Sequence, residues 1–355
     1  MKTKLFFSMI LCILICSSSI GQADAGEKKL SVITTIFPVY DFSRQIGKEK
    51  IDVAMLLPPG VEAHTFSPTP KDIMNISRAD VFVYTGKYME PWAEKMLKGI
   101  GNKNLLVIDA SKNIELSEEN HAHKAEHQND HDSEHEHDAE YHHDNDAEDE
   151  HDHKKESHKD NDKHKLEKDT DHQQHHHSGK DPHIWLDPVF AQAMVKQIAE
   201  GFASKDEANR AFYINNASDY IAQLIKLDQE NREALSGCKI KTILYAGHFA
   251  FGYFAKRYGL THLSPYKGFS PDAAPGAKSI AELTEKITQL GAKTVYYEEM
   301  IEPRVAKVIV EKTGVEMVLL HGAHNLAKED FAKGITYLSI MQDNLKKLKT
   351  GLQCP

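Results

Sequence analysis

Between His121 and His177 the chain changes composition so sharply that an ordinary packed core cannot include this stretch. It holds 16 of the protein's 22 histidines, and its apolar residues are little more than Tyr141, Leu166 and four alanines. Such a segment buries too little apolar surface to offset the entropy lost on ordering. The sequence therefore predicts a disordered loop over residues 120–178 that interrupts a folded domain. The alternative is a purely solubilising linker, but 16 histidines favour metal handling.

The charge of the chain is concentrated in the same stretch. The formal net charge is −10, while residues 121–177 alone hold 19 acidic residues against 7 lysines. The rest of the chain is therefore close to neutral, and no basic patch of the kind that nucleic-acid binding requires is present in the sequence. We expect no nucleic-acid partner.

The amino-terminal residues indicate export. Lys2 and Lys4 precede a short apolar run, 5–15, and small residues follow it. This pattern predicts a signal peptide over residues 1–25, because a membrane span needs about 20 apolar residues. Cys16 offers a lipid anchor as an alternative, although Ile15 is bulkier than the residue that usually precedes a lipidated cysteine. The expected location is the periplasm, or a lipid-anchored position outside the cytoplasmic membrane.

Two cysteines, Cys238 and Cys354, lie outside the signal peptide. An even number in an oxidising compartment predicts a disulfide between them. Two unrelated thiols are the alternative, because spacing alone does not show proximity.

Strand-like and helix-like segments alternate on both sides of the histidine-rich loop, which is typical of parallel α/β sheets. A helical pattern over residues 207–235 would be about 40 Å long. We predict two α/β lobes, each with a mainly parallel sheet flanked by helices, joined by one long rigid linking helix. The predicted boundaries are 28–187 for the first lobe, 188–237 for the linking helices and 238–355 for the second lobe. Later predicted segments include a strand at 241–245 and helices at 249–257 and 327–348.

Six histidines lie outside the loop, and most of them follow predicted strands. The six are His64, His183, His248, His262, His321 and His324. Ligands collect beyond the carboxyl ends of parallel strands, so two facing lobes would bring several of these side chains to one cleft. Imidazole nitrogens suit tetrahedral zinc. His183 lies just ahead of a predicted helix. His262 begins a segment instead of following a predicted strand, so it is not counted among the candidate ligands.

Several ordered motifs carry a resemblance to a known family. They are LPPGVEAHTF at 57–66, DPHIWLDP at 181–188, AGHFAFGY at 246–253, SPDAAP at 270–275 and GITYL at 334–338. Over about residues 30–352, outside the histidine-rich loop, the chain resembles the metal-specific solute-binding proteins of ABC transporters, particularly the ZnuA-type zinc receptors. The acidic, histidine-rich loop is also a mark of that zinc branch.

The resemblance implies a metal site in the cleft between the lobes, with His64, His183 and His248 as ligands. His324 is our choice for the fourth ligand, and His321, a carboxylate or water are the alternatives. Glu62 and Glu298 are the carboxylates considered near the site. The resemblance further implies capture of one Zn(II) and its delivery to an ABC permease and its ATPase, with additional weaker Zn(II) in the loop.

Other functions fit the sequence less well. A manganese receptor of the same family is the nearest alternative, although imidazole-rich sites favour zinc. A zinc-dependent hydrolase would need an open metal position and a nearby base, and the sequence shows no motif that supplies them. Nothing in the residues supports an adhesin. We expect a monomeric binding protein, not an enzyme, that meets the membrane only through the permease or a lipid anchor.

Overall fold

The computed structural model describes residues 28–118, 179–269 and 275–355. The predicted signal peptide, the Cys16 anchor, the histidine-rich loop and most of the SPDAAP motif lie outside these residues. The described residues on the two sides of 119–178 belong to one compact unit.

The first half contains one four-stranded sheet with helices between its strands. All its pairings are parallel, in the order β2-β1-β3-β4. The elements are β1 (Leu30–Thr34), α1 (Phe37–Gly47), β2 (Ile51–Met55), α2 (Pro70–Arg78), β3 (Val81–Tyr84), α3 (Pro91–Lys98) and β4 (Leu106–Asp109). β3 is buried at all four positions, as expected for an inner strand of a sheet covered on both faces.

Two helices follow the histidine-rich loop. A short 3-10 turn, Ile184–Leu186, leads into α4 (Pro188–Lys205), and a second turn, Glu207–Asn209, leads into α5 (Arg210–Ser236). With 27 residues, α5 is about 40 Å long. It packs on α1 in the first half and on α10 (Tyr337–Gly351) in the second, so it connects the two halves as the linking helix was predicted to do.

The second half repeats the alternation. Its remaining elements are β5 (Thr242–Leu244), α6 (Gly252–Arg257), β6 (Thr261–Leu263), α7 (Ala277–Leu290), β7 (Thr294–Tyr297), α8 (Arg304–Thr313), β8 (Glu316–Leu319) and α9 (Lys328–Ala332). Parallel pairs β5-β6 and β7-β8 are joined by a parallel bridge between Tyr245 and Tyr296, which gives the order β6-β5-β7-β8. The predicted α/β fold with parallel sheets is confirmed.

Proline and glycine explain many of the helix boundaries. Proline is the first residue of α2, α3 and α4, where its missing N–H would have had no partner within the helix. Gly291 and Gly314 follow α7 and α8 in the left-handed conformation that ends a helix. These signals are local, and the predicted strand at 241–245 and helix at 249–257 lie within three residues of β5 and α6.

Two segments differ from the prediction. The helix predicted over residues 327–348 is divided into α9 and α10, because Gly334 adopts a positive φ of 72° and Thr336 caps a new helix. Strand β6 was not predicted, because its residues are exposed or only partly buried and form no apolar run, unlike those of the equally short β5. His262 therefore lies within a strand.

The predicted disulfide between Cys238 and Cys354 is confirmed. It joins the end of α5 to the carboxyl terminus, beside backbone bonds from Lys239 N to Gln353 O (3.2 Å) and from Ile240 N to Leu352 O (3.0 Å). The bridge closes a span of 116 residues that contains the second sheet. Among the described helices, none combines the length and the apolar character that a membrane crossing requires.

Candidate metal centre

Four histidines from four separate segments meet at one place. His64 lies in the loop after β2, His248 after β5 and His324 after β8, while His183 immediately precedes the 3-10 turn at Ile184–Leu186. One ring nitrogen from each of the four lies within 4.8 Å of the others. The structure thus brings together the four histidines chosen from the sequence and leaves His262 and His321 outside the cluster.

The ring nitrogens at this centre have few protein partners. Nε2 of His183 lies 3.4 Å from Nε2 of His64. Nε2 of His248 and Nε2 of His324 are buried and have no hydrogen-bond partner in the part of the chain that the structure describes. A buried nitrogen without a partner costs about 1–3 kcal/mol, so a site with two of them calls for a ligand.

The opposite nitrogen of His183 is held by Asp181. Oδ1 of Asp181 accepts from the backbone N of His183 (3.0 Å) and lies 2.7 Å from its Nδ1. Nδ1–H donation to the carboxylate leaves the lone pair on Nε2, which then points at the centre. Burial raises the pKa of Asp181 to about 7, and the bond from the His183 backbone opposes that shift. A cation at the centre would favour the ionised carboxylate.

The same arrangement recurs at two further histidines. Oε1 of Glu299 accepts from the backbone N of His324 (3.2 Å) and lies 2.9 Å from its Nδ1. Oε1 of Glu298 accepts from the backbone N of His248 (3.0 Å), and Oε2 contacts its Nδ1. Glu298 and Glu299 follow β7, which lies between the strands that lead to these histidines. One dipeptide therefore orients two rings.

His64 is held differently. Its backbone N donates to Oε1 of Glu62 (2.9 Å), whose Oε2 accepts from the backbone N of Thr65 (2.9 Å). Within the described residues, no carboxylate contacts the His64 ring. His64 is also the one member of the cluster that is partly exposed.

Electrostatics keep two of the rings neutral. Burial lowers the pKa of His64 and of His183 well below 6.5, and the neighbouring imidazoles lower both further. Neutral imidazole is the form that binds metal. Burial acts in the same direction on His324, but its bond to Glu299 and the charge of that carboxylate raise its pKa overall.

Both carboxylate oxygens of Glu299 accept hydrogen bonds. Burial would raise the pKa of its carboxyl, but His321 and His324 outweigh this effect and hold it well below its ordinary value. Oε2 of Glu299 also accepts from the backbone N of Gly322 (2.7 Å). A Cβ at Gly322 would approach the His324 ring to 2.7 Å, so this turn requires glycine.

His321, the alternative fourth ligand, supports the same turn. Its Nδ1 accepts from the backbone N of Ala323 (2.9 Å), a residue with a positive φ of 57°. The side chain of Asn344 binds both backbone groups of His321, at 2.9 Å and 2.8 Å. His321 therefore shapes the turn that presents His324.

Sequence reasoning missed Asp181 and Glu299 as partners of the histidines. Asp181 stands two residues before His183, a spacing at which aspartate commonly accepts from the following backbone. Glu299 follows a parallel strand, as His248 and His324 do, so the strand-end rule applied to the histidines would have found it. Glu298 and Glu62 were considered near the site, and both contact members of the cluster.

Comparison with known proteins finds zinc-binding relatives. The family model described as zinc-uptake complex component A, periplasmic (ZnuA), matches residues 32–351. The high-affinity zinc uptake system protein ZnuA of Bacillus subtilis is 36% identical over 336 residues, which cover 95% of this chain and 92% of that protein. The zinc-binding lipoprotein AdcA of Streptococcus pneumoniae strain R6 is 31% identical, over 97% of this chain and 60% of that protein.

Solved structures show the same fold. The Zn(II)-bound ZnuA-like domain of AdcA from Streptococcus pneumoniae has a TM-score of 0.67 and 28% identity, and the alignment covers 92% of this chain and 99% of that one. The metal-dependent lipoprotein YcdH from Bacillus subtilis has a TM-score of 0.67 and 33% identity, over 91% and 99%. These neighbours have two lobes. The chain belongs to the ZnuA family, whose members are solute-binding components of uptake systems and not enzymes.

Proposed function

We propose that this protein is an extracytoplasmic receptor that binds one Zn(II) through His64, His183, His248 and His324 and delivers it to an ABC permease for import. One observation carries the proposal: four imidazoles converge on a largely buried centre where two Nε2 atoms have no partner among the described residues. The relatives named for zinc uptake and zinc binding support the choice of metal.

The spacing of the nitrogens suits tetrahedral zinc. With Zn–N bonds of about 2.0–2.1 Å, ideal tetrahedral geometry separates two ligand nitrogens by roughly 3.3–3.4 Å. His64 and His183 already stand at 3.4 Å. The four ligand atoms lie within 4.8 Å, so small side-chain movements would complete the tetrahedron.

The donor set favours zinc over manganese. Manganese prefers carboxylate oxygen, whereas imidazole suits zinc. The carboxylates of Asp181, Glu298 and Glu299 contact the Nδ1 atoms of the rings instead of the centre itself. A manganese receptor or a hydrolase gains no support from the relatives, which are named for zinc uptake and zinc binding.

Charge and ring orientation favour capture of the ion, whereas release depends on the permease. The carboxyl of Glu299, whose pKa is held well below its ordinary value, places a negative charge beside the centre, which attracts a cation. The three histidines with carboxylate partners are already oriented, so binding requires little reordering. Release requires the permease to separate ligands, with its ATPase supplying the energy.

We also propose that the histidine-rich loop carries additional, weaker Zn(II). Its flanking residues are close together: Glu118 and Lys180 form an antiparallel bridge, and the backbone N of Asp181 donates to Ser117 O at 2.9 Å. Asp181 in turn contacts His183. The loop therefore joins the folded chain only three residues before a proposed ligand.

The division of the chain into two lobes and linking helices is also proposed. We assign residues 28–187 to the first lobe, 188–237 to the linking helices and 238–355 to the second lobe, with a signal peptide over residues 1–25. The protein is proposed to be monomeric and periplasmic or lipid-anchored.

Zinc stoichiometry and affinity, measured by chelator competition, test the proposal. The full mature chain should bind one zinc tightly and further zinc weakly, and a variant lacking residues 121–177 should keep only the tight site. That site should be lost in H183A and kept in H262A, which removes a histidine outside the cluster. Absence of a tight site in the deletion variant, or tighter binding of Mn(II) than Zn(II), would refute the proposal.

A further inference from the structure

Trp185 lies between two of the proposed ligands. Its ring packs edge-on against His183, with centroids 5.4 Å apart, and against His324, with centroids 5.2 Å apart. The side chain is completely buried. His183 precedes α4 and His324 follows β8, so a single indole touches ligand rings from two distant segments of the chain.

The indole is tethered to the segment that carries His324. Nε1 of Trp185 donates to the carbonyl oxygen of Gly322 at 2.8 Å. The backbone N of Gly322 donates to Glu299, which also holds Nδ1 of His324. The position of the indole is thus linked to the position of the His324 ring by a short series of bonds.

The backbone of Trp185 is held as well. Its carbonyl oxygen accepts from the hydroxyl of Tyr337, a buried residue at the start of α10. The backbone N of Tyr337 donates to Oδ2 of Asp41 in α1 at 3.0 Å. The ring and the main chain of Trp185 are therefore both fixed, so the residue acts as a rigid spacer.

We propose that Trp185 is a positioning residue that sets the separation and relative orientation of His183 and His324 before the metal binds. The proposal rests on the proposed function, because it assigns a role within the same site. Phenylalanine at this position is smaller and lacks the Nε1 donor. It would leave Gly322 O without this bond and would allow the two rings to shift. Displaced ligands weaken metal binding even when each ligand is still present.

The test compares W185F with W92F in the full-length protein. Trp92 packs with a separate, smaller group of apolar residues and contacts Phe66, so W92F is a matched tryptophan-to-phenylalanine control. Zinc affinity is measured by chelator competition, and one equivalent of Co(II) reports ligand geometry through its visible absorption. W185F should bind zinc about 10–100-fold more weakly and show an altered Co(II) spectrum, while W92F should match the parent in both.

A second variant covers the case in which W185F does not fold. Y337F keeps the indole but removes the bond to the Trp185 carbonyl, and we expect a smaller change in the Co(II) spectrum in the same direction. An unchanged affinity and spectrum in folded W185F, or an unchanged spectrum in Y337F if W185F does not fold, would overturn the inference. If the parent protein lacks a tight zinc site, the proposed function itself fails, which is a distinguishable result.

Discussion

His64 and the other three histidines of the centre are held in different ways. His183, His248 and His324 are buried, and a carboxylate contacts Nδ1 of each ring. His64 is partly exposed, and among the described residues its neighbouring carboxylate, Glu62, accepts from backbone N–H groups and not from the ring. Three of the proposed ligands are therefore oriented through their own rings, whereas the orientation of the fourth depends on its loop.

The loop that carries His64 is fixed by contacts with the segment that carries His324. Nδ2 of Asn325 donates to Pro58 O (2.7 Å) and to Val61 O (2.8 Å). The backbone N of Gly60 donates to Leu326 O at 2.8 Å. Backbone docking can place a ring near the metal, but it does not select which ring nitrogen carries the proton. From this difference we expect His64 to contribute less to zinc affinity than the three buried histidines.

Removal of a ligand should have the largest effect. Loss of an outer-shell partner typically costs about 10–100-fold in metal affinity, so H183A should cost more than about 100-fold. It also leaves Asp181 buried without its imidazole partner. H64A should weaken binding less, because water can reach a partly exposed position and replace the ring. Chelator competition measures both affinities, and equal losses would show that His64 is not the weaker ligand.

Removal of the carboxylates should have the next largest effect. E299Q and E298Q keep the shape of the side chain but remove the charge that orients His324 and His248, and each should weaken zinc binding by about 10–100-fold. E62Q is the matched comparison, because Glu62 contacts the backbone and not the ring of His64. Its expected loss is smaller, below about tenfold. An E62Q loss as large as that of E299Q would mean that the backbone contacts orient His64 as strongly as a ring contact would.

The positions of the proposed ligands could be predicted from the sequence much better than the residues that orient their rings. His64, His248 and His324 follow parallel strands, and the strand-end rule places such residues at the carboxyl edges of their sheets. The choice of His324 over His321 depends on the turn at Ala323 and on Glu299, which are tertiary features. The consecutive residues Glu298 and Glu299 serve different rings, and no local pattern in the sequence indicates this division. The same limit explains why β6 was missed, since its largely exposed residues form no apolar run and only its pairing with β5 defines it.

As the pH is lowered, the histidines of the centre should become protonated in the order of their pKa values, from the highest to the lowest. Glu299 raises the pKa of His324, so its proton competes with zinc at higher pH than an ordinary histidine's proton would. Burial lowers the pKa of His64 and His183, so their protons compete only under more acidic conditions. When the pH is lowered, zinc affinity should therefore begin to fall while the pH is still above about 6.5, the ordinary pKa of histidine.

The variant E299Q tests the origin of this pH dependence. A neutral amide no longer favours the protonated ring, so the pKa of His324 should fall and the loss of affinity should begin at lower pH. Affinities measured between about pH 8 and pH 5.5 for the parent and E299Q give the two profiles. Identical onsets would assign the proton competition to a group other than His324.

The disulfide should have the smallest effect on zinc affinity and a large effect on stability. The bridge between Cys238 and Cys354 encloses the segments that carry His248 and His324, but not those that carry His64 and His183. Its span of 116 residues corresponds to about 4–5 kcal/mol in the chain-entropy model of disulfide stabilisation. The double variant C238A/C354A should therefore unfold at a lower denaturant concentration.

The zinc affinity of C238A/C354A should stay close to that of the parent, because the bridge constrains mainly the unfolded chain. In the native state, Glu298 and Glu299 hold His248 and His324. Denaturant unfolding and chelator competition on the same preparation measure the two quantities separately. A large loss of affinity in folded protein would show that the bridge, as well as the carboxylates, positions these two ligands. In that case His248 and His324 would differ from His64 in two ways: a carboxylate contacts each of their rings, and a disulfide restrains the segments that carry them.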